Sequence, residues 1–77
     1  MERMSARFVG KAVGMSTKWV YDVWKEMGLV IKDRFGDWTL TEMGRSIGGK
    51  MSKSNDCPVP TFDFEVIERM MIDHFKK

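Results

Sequence analysis

The sequence predicts a small α+β domain, mainly α, on three observations. Two helix-sized stretches are divided by a glycine and a hydroxyl residue, a β-rich pair of segments follows around a turn, and an apolar stripe recurs at helical steps near the chain end. One domain is expected, because 77 residues lie near the lower limit for a stable core without covalent help. A hydrophobic fraction of 43% and three Trp place the chain among folded proteins. Its eight Met read as flexible fillers of irregular packing.

Each element has its own signal. Ser5 is expected to cap a first helix running to about Val13, with Phe8, Val9, Ala12 and Val13 as its apolar side. Gly14 ends it where the chain must turn left-handed. Ser16 then caps a second helix through Met27, closed by Gly28. Val20, Val23, Trp24 and Met27 form its buried stripe, while Lys18, Tyr21, Asp22 and Lys25 fall on the opposite side. Residues 29–32 and 37–40 are short strands around the turn "DRFG", a hairpin. Thr41 caps a brief helix with Glu42 at its positive start, limited by Gly44 and Gly48. The stretch 48–60, "GGKMSKSNDCPVP", reads as a loop. Asp63 caps a last helix, 63–76, whose stripe holds Ile67, Met70, Met71, His74 and Phe75, with Lys76 and Lys77 at its negative end. Phe62 and Phe64 are expected to cross the core and add a third strand beside the hairpin.

The first two helices have the spacing of a helix-turn-helix over residues 5–27. Such a pair needs a small residue where the helices cross, a turn residue tolerant of positive φ, and apolar side chains in the angle between them. Gly10, Gly14 and the central Val20 meet these needs, with Val9, Val13, Met15 and Val23 in the remaining slots. A hairpin at 29–40 directly after it makes a winged helix-turn-helix with a β-hairpin wing and an additional C-terminal helix.

"GKAVGMSTKWVYDVWKEMGLV" followed by "GDWTLTEMGRSIGGKMS" resembles the winged-helix module at the C-terminus of phage antirepressor-type regulators. The likeness runs from about Phe8 to Phe64, and its most telling pieces are "EMGL" and "W-x-LTEMG". It implies a regulatory, nucleic-acid-associated module of phage or prophage type, working in the cytoplasm of a bacterial or phage-infected host cell. The chain departs from the family at Gly10, where alanine is commoner, and in having Phe62 or Phe64 in place of a late Trp. With no partner domain expected, the antirepressor activity of a longer protein does not carry over.

Charge is uneven. Residues 1–53 hold ten Lys and Arg against six Asp and Glu, whereas residues 54–77 hold three against five. The first part suits phosphate and the second does not. In the double-stranded DNA reading, the second helix enters the major groove as a transcriptional regulator would place it. Lys18 and Lys25 neutralise phosphates or read guanine, Tyr21 donates to phosphate, Thr17 helps hold a phosphate oxygen at the helix start, and Asp22 accepts from a cytosine amine. Lys32 and Arg34 are the wing contacts, with Lys11 and Arg7 on the approaching helix. Against it, the second helix carries Asp22 and Glu26 and has no Arg, Asn or Gln. The alternative is a module that binds a host or phage protein through Trp19, Tyr21 and the wing. Trp19 is either an exposed anchor or packs under the N-terminal segment near Met4, whereas Trp24 and Trp38 pack on the core. A homodimer through the last helix is a further expected partner arrangement.

The inventory of reactive groups argues against an enzyme and against any cofactor. His74 is the sole histidine and reads as a packed or rim residue. Cys57 is the sole cysteine, so no internal disulfide forms, a reducing compartment is expected, and no zinc site of Cys and His can be assembled. "GGKMS" lacks the spacing of a phosphate-binding loop. No apolar run reaches the ~18 residues of a membrane span, and no signal-peptide pattern opens the chain.

Overall fold

The computed structural model describes residues 3–54 and 57–76. Among them four helices and five short strands follow in the order β1 (Arg3–Ser5), α1 (Ala6–Val13), α2 (Thr17–Glu26), β2 (Val30–Lys32), β3 (Trp38–Leu40), α3 (Glu42–Ser46), β4 (Lys50–Ser54), β5 (Cys57–Asp63) and α4 (Phe64–Phe75). The result is an α+β fold, roughly half helical, with two small antiparallel sheets. One sheet is the β2–β3 hairpin alone, and the other has the order β1-β5-β4. Lys77, expected at the end of the last helix, lies outside the described residues.

Gly14 closes α1 in the left-handed region, at φ 76, and its N–H donates to the Gly10 carbonyl. Met15 N–H donates to the same carbonyl at 2.8 Å, so the chain folds back tightly onto Gly10. A Cβ on Gly10 would stand 2.7 Å from the Met15 carbonyl oxygen. Glycine here is a matter of space, which explains why alanine is absent from the crossing position. α2 starts at Ser16, whose hydroxyl accepts from the Trp19 N–H at 3.1 Å. Its stripe of Val20, Val23 and Trp24 is buried.

The turn after α2 and the short α3 are joined through one hydroxyl. Thr41 donates its O–H to the Gly28 carbonyl and accepts from the Gly44 N–H at 3.0 Å. It thereby caps α3 and holds it to the end of α2 in the same contact. A Cβ on Gly44 would collide with the Leu29 carbonyl oxygen, so only glycine lets α3 approach that closely.

Four expectations are corrected. Ser5 precedes α1 but its side chain makes no cap; it ends β1, with its backbone opposite Thr61 of β5. On α1 the buried residues are Ala6, Val9 and Gly10, while Phe8, Ala12 and Val13 are exposed. Eight residues give little more than two turns, and the buried strip is narrower than an apolar count suggests. Within the segment 48–60, expected as a loop, residues 50–54 and 57–60 are paired strands: Lys50 lies opposite Thr61, Met51 opposite Pro60 and Ser52 opposite Val59. The strand that carries Phe62 does not join the β2–β3 hairpin; it is the centre of the other sheet, with Phe62 opposite Met4.

Two prolines in the central strand have a physical explanation. β1 pairs only with residues 61–63 of β5, so at Pro58 and Pro60 that strand has β4 alone as neighbour. Spaced by two, both prolines turn their missing N–H toward the same unpaired side. Arg3 then ties the sheet to the α3–β4 turn, donating to the Gly48 carbonyl at 2.6 Å and the Thr61 carbonyl at 3.3 Å. The core beneath is Val9, Val20, Trp24, Leu29, Val30, Leu40, Phe62, Ile67 and Met71 with their neighbours.

Gly10→Ala is expected to lower stability by about 1–2 kcal/mol, because the clash with a backbone oxygen outweighs the ~1 kcal/mol gain in helix propensity. Thermal unfolding should show the midpoint falling by roughly 4–16 °C; a rise would mean the close approach is relaxed at no cost.

Candidate nucleic-acid interface

One depression gathers Thr17, Lys18, Tyr21, Asp22 and Lys25 of α2 with Lys32 and Trp38 of the β2–β3 hairpin. It is open and shallow, about 450 Å³, and carries three lysines against one carboxylate. Helical spacing places the α2 residues on one side, since positions three and four apart are neighbours on a helix. Lys32 and Trp38 join them because they are paired opposite each other across the two strands.

The aromatic floor is built by stacking. Trp38 and Tyr21 lie with ring centres 4.8 Å apart and planes 5° from parallel. The Tyr21 ring meets the buried Trp24 edge-on at 6.0 Å, and Trp24 in turn meets Phe62 at 4.8 Å. Lys32 Nζ stands over Trp38, 5.2 Å from the centre of its ring. Tyr21 is therefore half-buried, not on a fully solvated face as its helix position suggested. Burial pushes its phenol above the ordinary value of 10.0. At neutral pH it stays protonated and able to donate.

The charges are arranged unevenly. Lys18 Nζ is 2.9 Å from Asp22 Oδ2, an exposed i,i+4 pair worth about 0.3–0.5 kcal/mol. Asp22 thus offsets Lys18 and is itself partly neutralised. Lys25 and Lys32 form no ion pair among the described residues, so they are the cations most available to an anion.

Three of the sequence-predicted contacts lie outside the depression. Arg34 sits in the hairpin turn with its guanidinium over Phe35 at 5.7 Å. Arg7 and Lys11 are exposed on α1, and Lys11 Nζ lies 5.9 Å from the centre of Phe8. Trp19 is half-buried, and its ring stacks on Phe75 of α4 at 5.6 Å. That is neither an open anchor nor the expected packing near Met4.

Two residues were missed by sequence reasoning. Trp38 packs against the core as expected, and its half-exposed ring also lines the depression. Phe35, 80% exposed, stands at the hairpin tip. The turn that presents it is well held: Asp33 Oδ1 accepts from the N–H groups of Phe35 and Asp37 at 2.8 and 3.0 Å. The signal available for it was the turn "DRFG" itself, where an aromatic side chain has no neighbour to pack against.

No family model, curated protein or solved structure matches the chain. Among the described residues no helix is long and apolar enough to cross a membrane.

Because the Tyr21 phenol holds its proton more tightly folded than unfolded, its contribution is fully present below pH 10 and lost as pH rises beyond. Stability of the parent should therefore fall more steeply above pH 10 than that of Tyr21→Phe. Chemical denaturation at pH 8 and at pH 10.5 checks this, and equal losses in the two proteins would contradict it.

Proposed function

We propose that the chain is a winged-helix module that binds duplex DNA, with α2 in the major groove and the β2–β3 hairpin as a flap beside it. The supporting observation is the convergence of Thr17, Lys18, Tyr21, Asp22, Lys25 and Lys32 on one basic, aromatic-floored depression. Lys25 and Lys32 meet phosphates, Lys18 exchanges Asp22 for a phosphate at small cost, and the Tyr21 hydroxyl donates to the backbone. Thr17 opens α2, where the helix start favours a phosphate oxygen. Arg34 at the hairpin turn extends the contact along the duplex, and Arg7 and Lys11 add positive field from α1. Base reading is sparse in this arrangement, so affinity rests mainly on charge. The likeness to the C-terminal module of phage antirepressor-type regulators supports a regulatory role of that kind.

A second reading has its own observation. Ile31 and Phe35 are both exposed large hydrophobics on the hairpin, which favours a protein surface as the flap's partner. Trp19 and Tyr21, the anchors expected for that reading, are already stacked on Phe75 and Trp38. A homodimer through α4 would draw on its exposed Val66, Ile72 and Phe75, and sedimentation at high micromolar concentration tests it.

The readings separate on salt. Three lysine–phosphate contacts give a slope of about −2.7 in log K against log salt. Lys18→Glu with Lys25→Glu should abolish measurable duplex binding at 100 mM salt, while Ile31→Ser with Phe35→Ser leaves it within about threefold. Absence of binding to any duplex by the parent at low salt would remove the DNA reading.

A further inference from the structure

A second depression, sharing no residue with the basic one, is lined by Glu26, Met27, Met43, Met70, Asp73 and His74. It brings three methionines from three elements to the sole histidine of the chain. Met70 and His74 are four residues apart on α4 and so share a face. Met27 caps the end of α2, and Met43 lies on α3. Both of the other partners reach toward that helix end. The Met43 sulfur lies 3.8 Å from where a Cβ on Gly28 would stand, and the His74 Nε2 lies 3.8 Å from Glu26 Oε2. That second distance is longer than a hydrogen bond, so the imidazole edge is held near Glu26 without being fixed to it.

Packing accounts for only part of this set. Met27 and Met70 are half-buried with one side packed against the core, whereas Met43 is 55% exposed and has no such role. Thioethers are soft, weak donors that bind few biological cations, and with imidazole they select a soft, low-charge ion. Glu26 and Asp73 at the rim supply negative charge that favours a cation there. Among the described residues no group of three His, Cys, Asp or Glu is placed to hold a metal, so a hard or borderline ion finds no comparable set.

We propose that Met27, Met43, Met70 and His74 form a binding site for a soft monovalent metal ion, copper(I) or its redox-inert analogue silver(I). The ion binds through the three thioether sulfurs and the neutral imidazole, with rotation of the flexible methionine side chains closing the coordination. Seated there, it ties together the ends of α2, α3 and α4.

The test uses the full chain carrying Cys57→Ser, which removes the competing thiol, titrated with silver(I) nitrate in a chloride-free buffer. Methionine methyl groups and the His74 ring are followed by carbon–proton correlation NMR. Saturation near one equivalent is expected, with the methyls of Met27, Met43 and Met70 and the His74 ring shifting together. Met43→Leu and Met70→Leu conserve volume and fold, and each should weaken binding at least about tenfold, as should His74→Phe. Shifts confined to other methionines, or Leu variants that bind as the parent does, would overturn the proposal, as would no shift at all.

Discussion

The rings of Trp38 and Tyr21, nearly parallel at 4.8 Å, join two elements that otherwise share no hydrogen-bonded edge. The β2–β3 hairpin is a sheet of its own, anchored below by Val30 and Leu40 in the core. Above, its hold on α2 runs through that stack. The series continues inward from Tyr21 to Trp24 and from Trp24 to Phe62 on the central strand, so the flap is referred to the interior of the molecule. Aromatic pairs of this kind contribute about 0.5–1.5 kcal/mol each beyond the area they bury. They add to the hold that buried Val30 and Leu40 already give the hairpin, and so to the position of Lys32 relative to Lys18 and Lys25.

The pieces "EMGL" and "W-x-LTEMG" have a shared structural role. Gly28 turns the chain after α2, at φ 82, and offers its carbonyl to Thr41. Leu29 is buried, and its carbonyl lies where a side chain on Gly44 would have to be. Trp38 brings in the stack, Leu40 the core, and Thr41 the cap of α3. These residues make a joint between α2, the hairpin and α3. They specify how the surface is held, while the surface itself is set by Lys18, Lys25, Lys32 and the aromatic floor.

What could be read in advance divides along the range of the interactions. Gly14, Ser16, Gly28 and Asp63, and Thr41 in its role as a cap, act on residues within four positions or set their own φ, and local spacing announces them. Ser5 is different: it ends a strand whose partner, Thr61, lies 56 positions along the chain, and local spacing does not announce that. The pairing of 50–54 with 57–61 was hidden for the same reason: glycine and proline mark that stretch as irregular, and only the short reach of β1 makes room for Pro58 and Pro60 in a strand. In the basic depression the five α2 residues followed from helical period. Trp38 did not, since its place depends on a ring from another element. Arg7, Lys11 and Arg34 were expected there from the elements that carry them, but an element's place does not say which of its side chains border the depression.

The central claim is that Tyr21 and Trp38 act as a unit that fixes the hairpin to α2, and a double-mutant cycle of Tyr21→Ala and Trp38→Ala on unfolding free energy tests it most directly. A coupling of about 0.5–1.5 kcal/mol is expected for the stacked pair. Additivity within about 0.3 kcal/mol would mean that the rings lie together without holding each other, and the flap would no longer belong to the α2 surface.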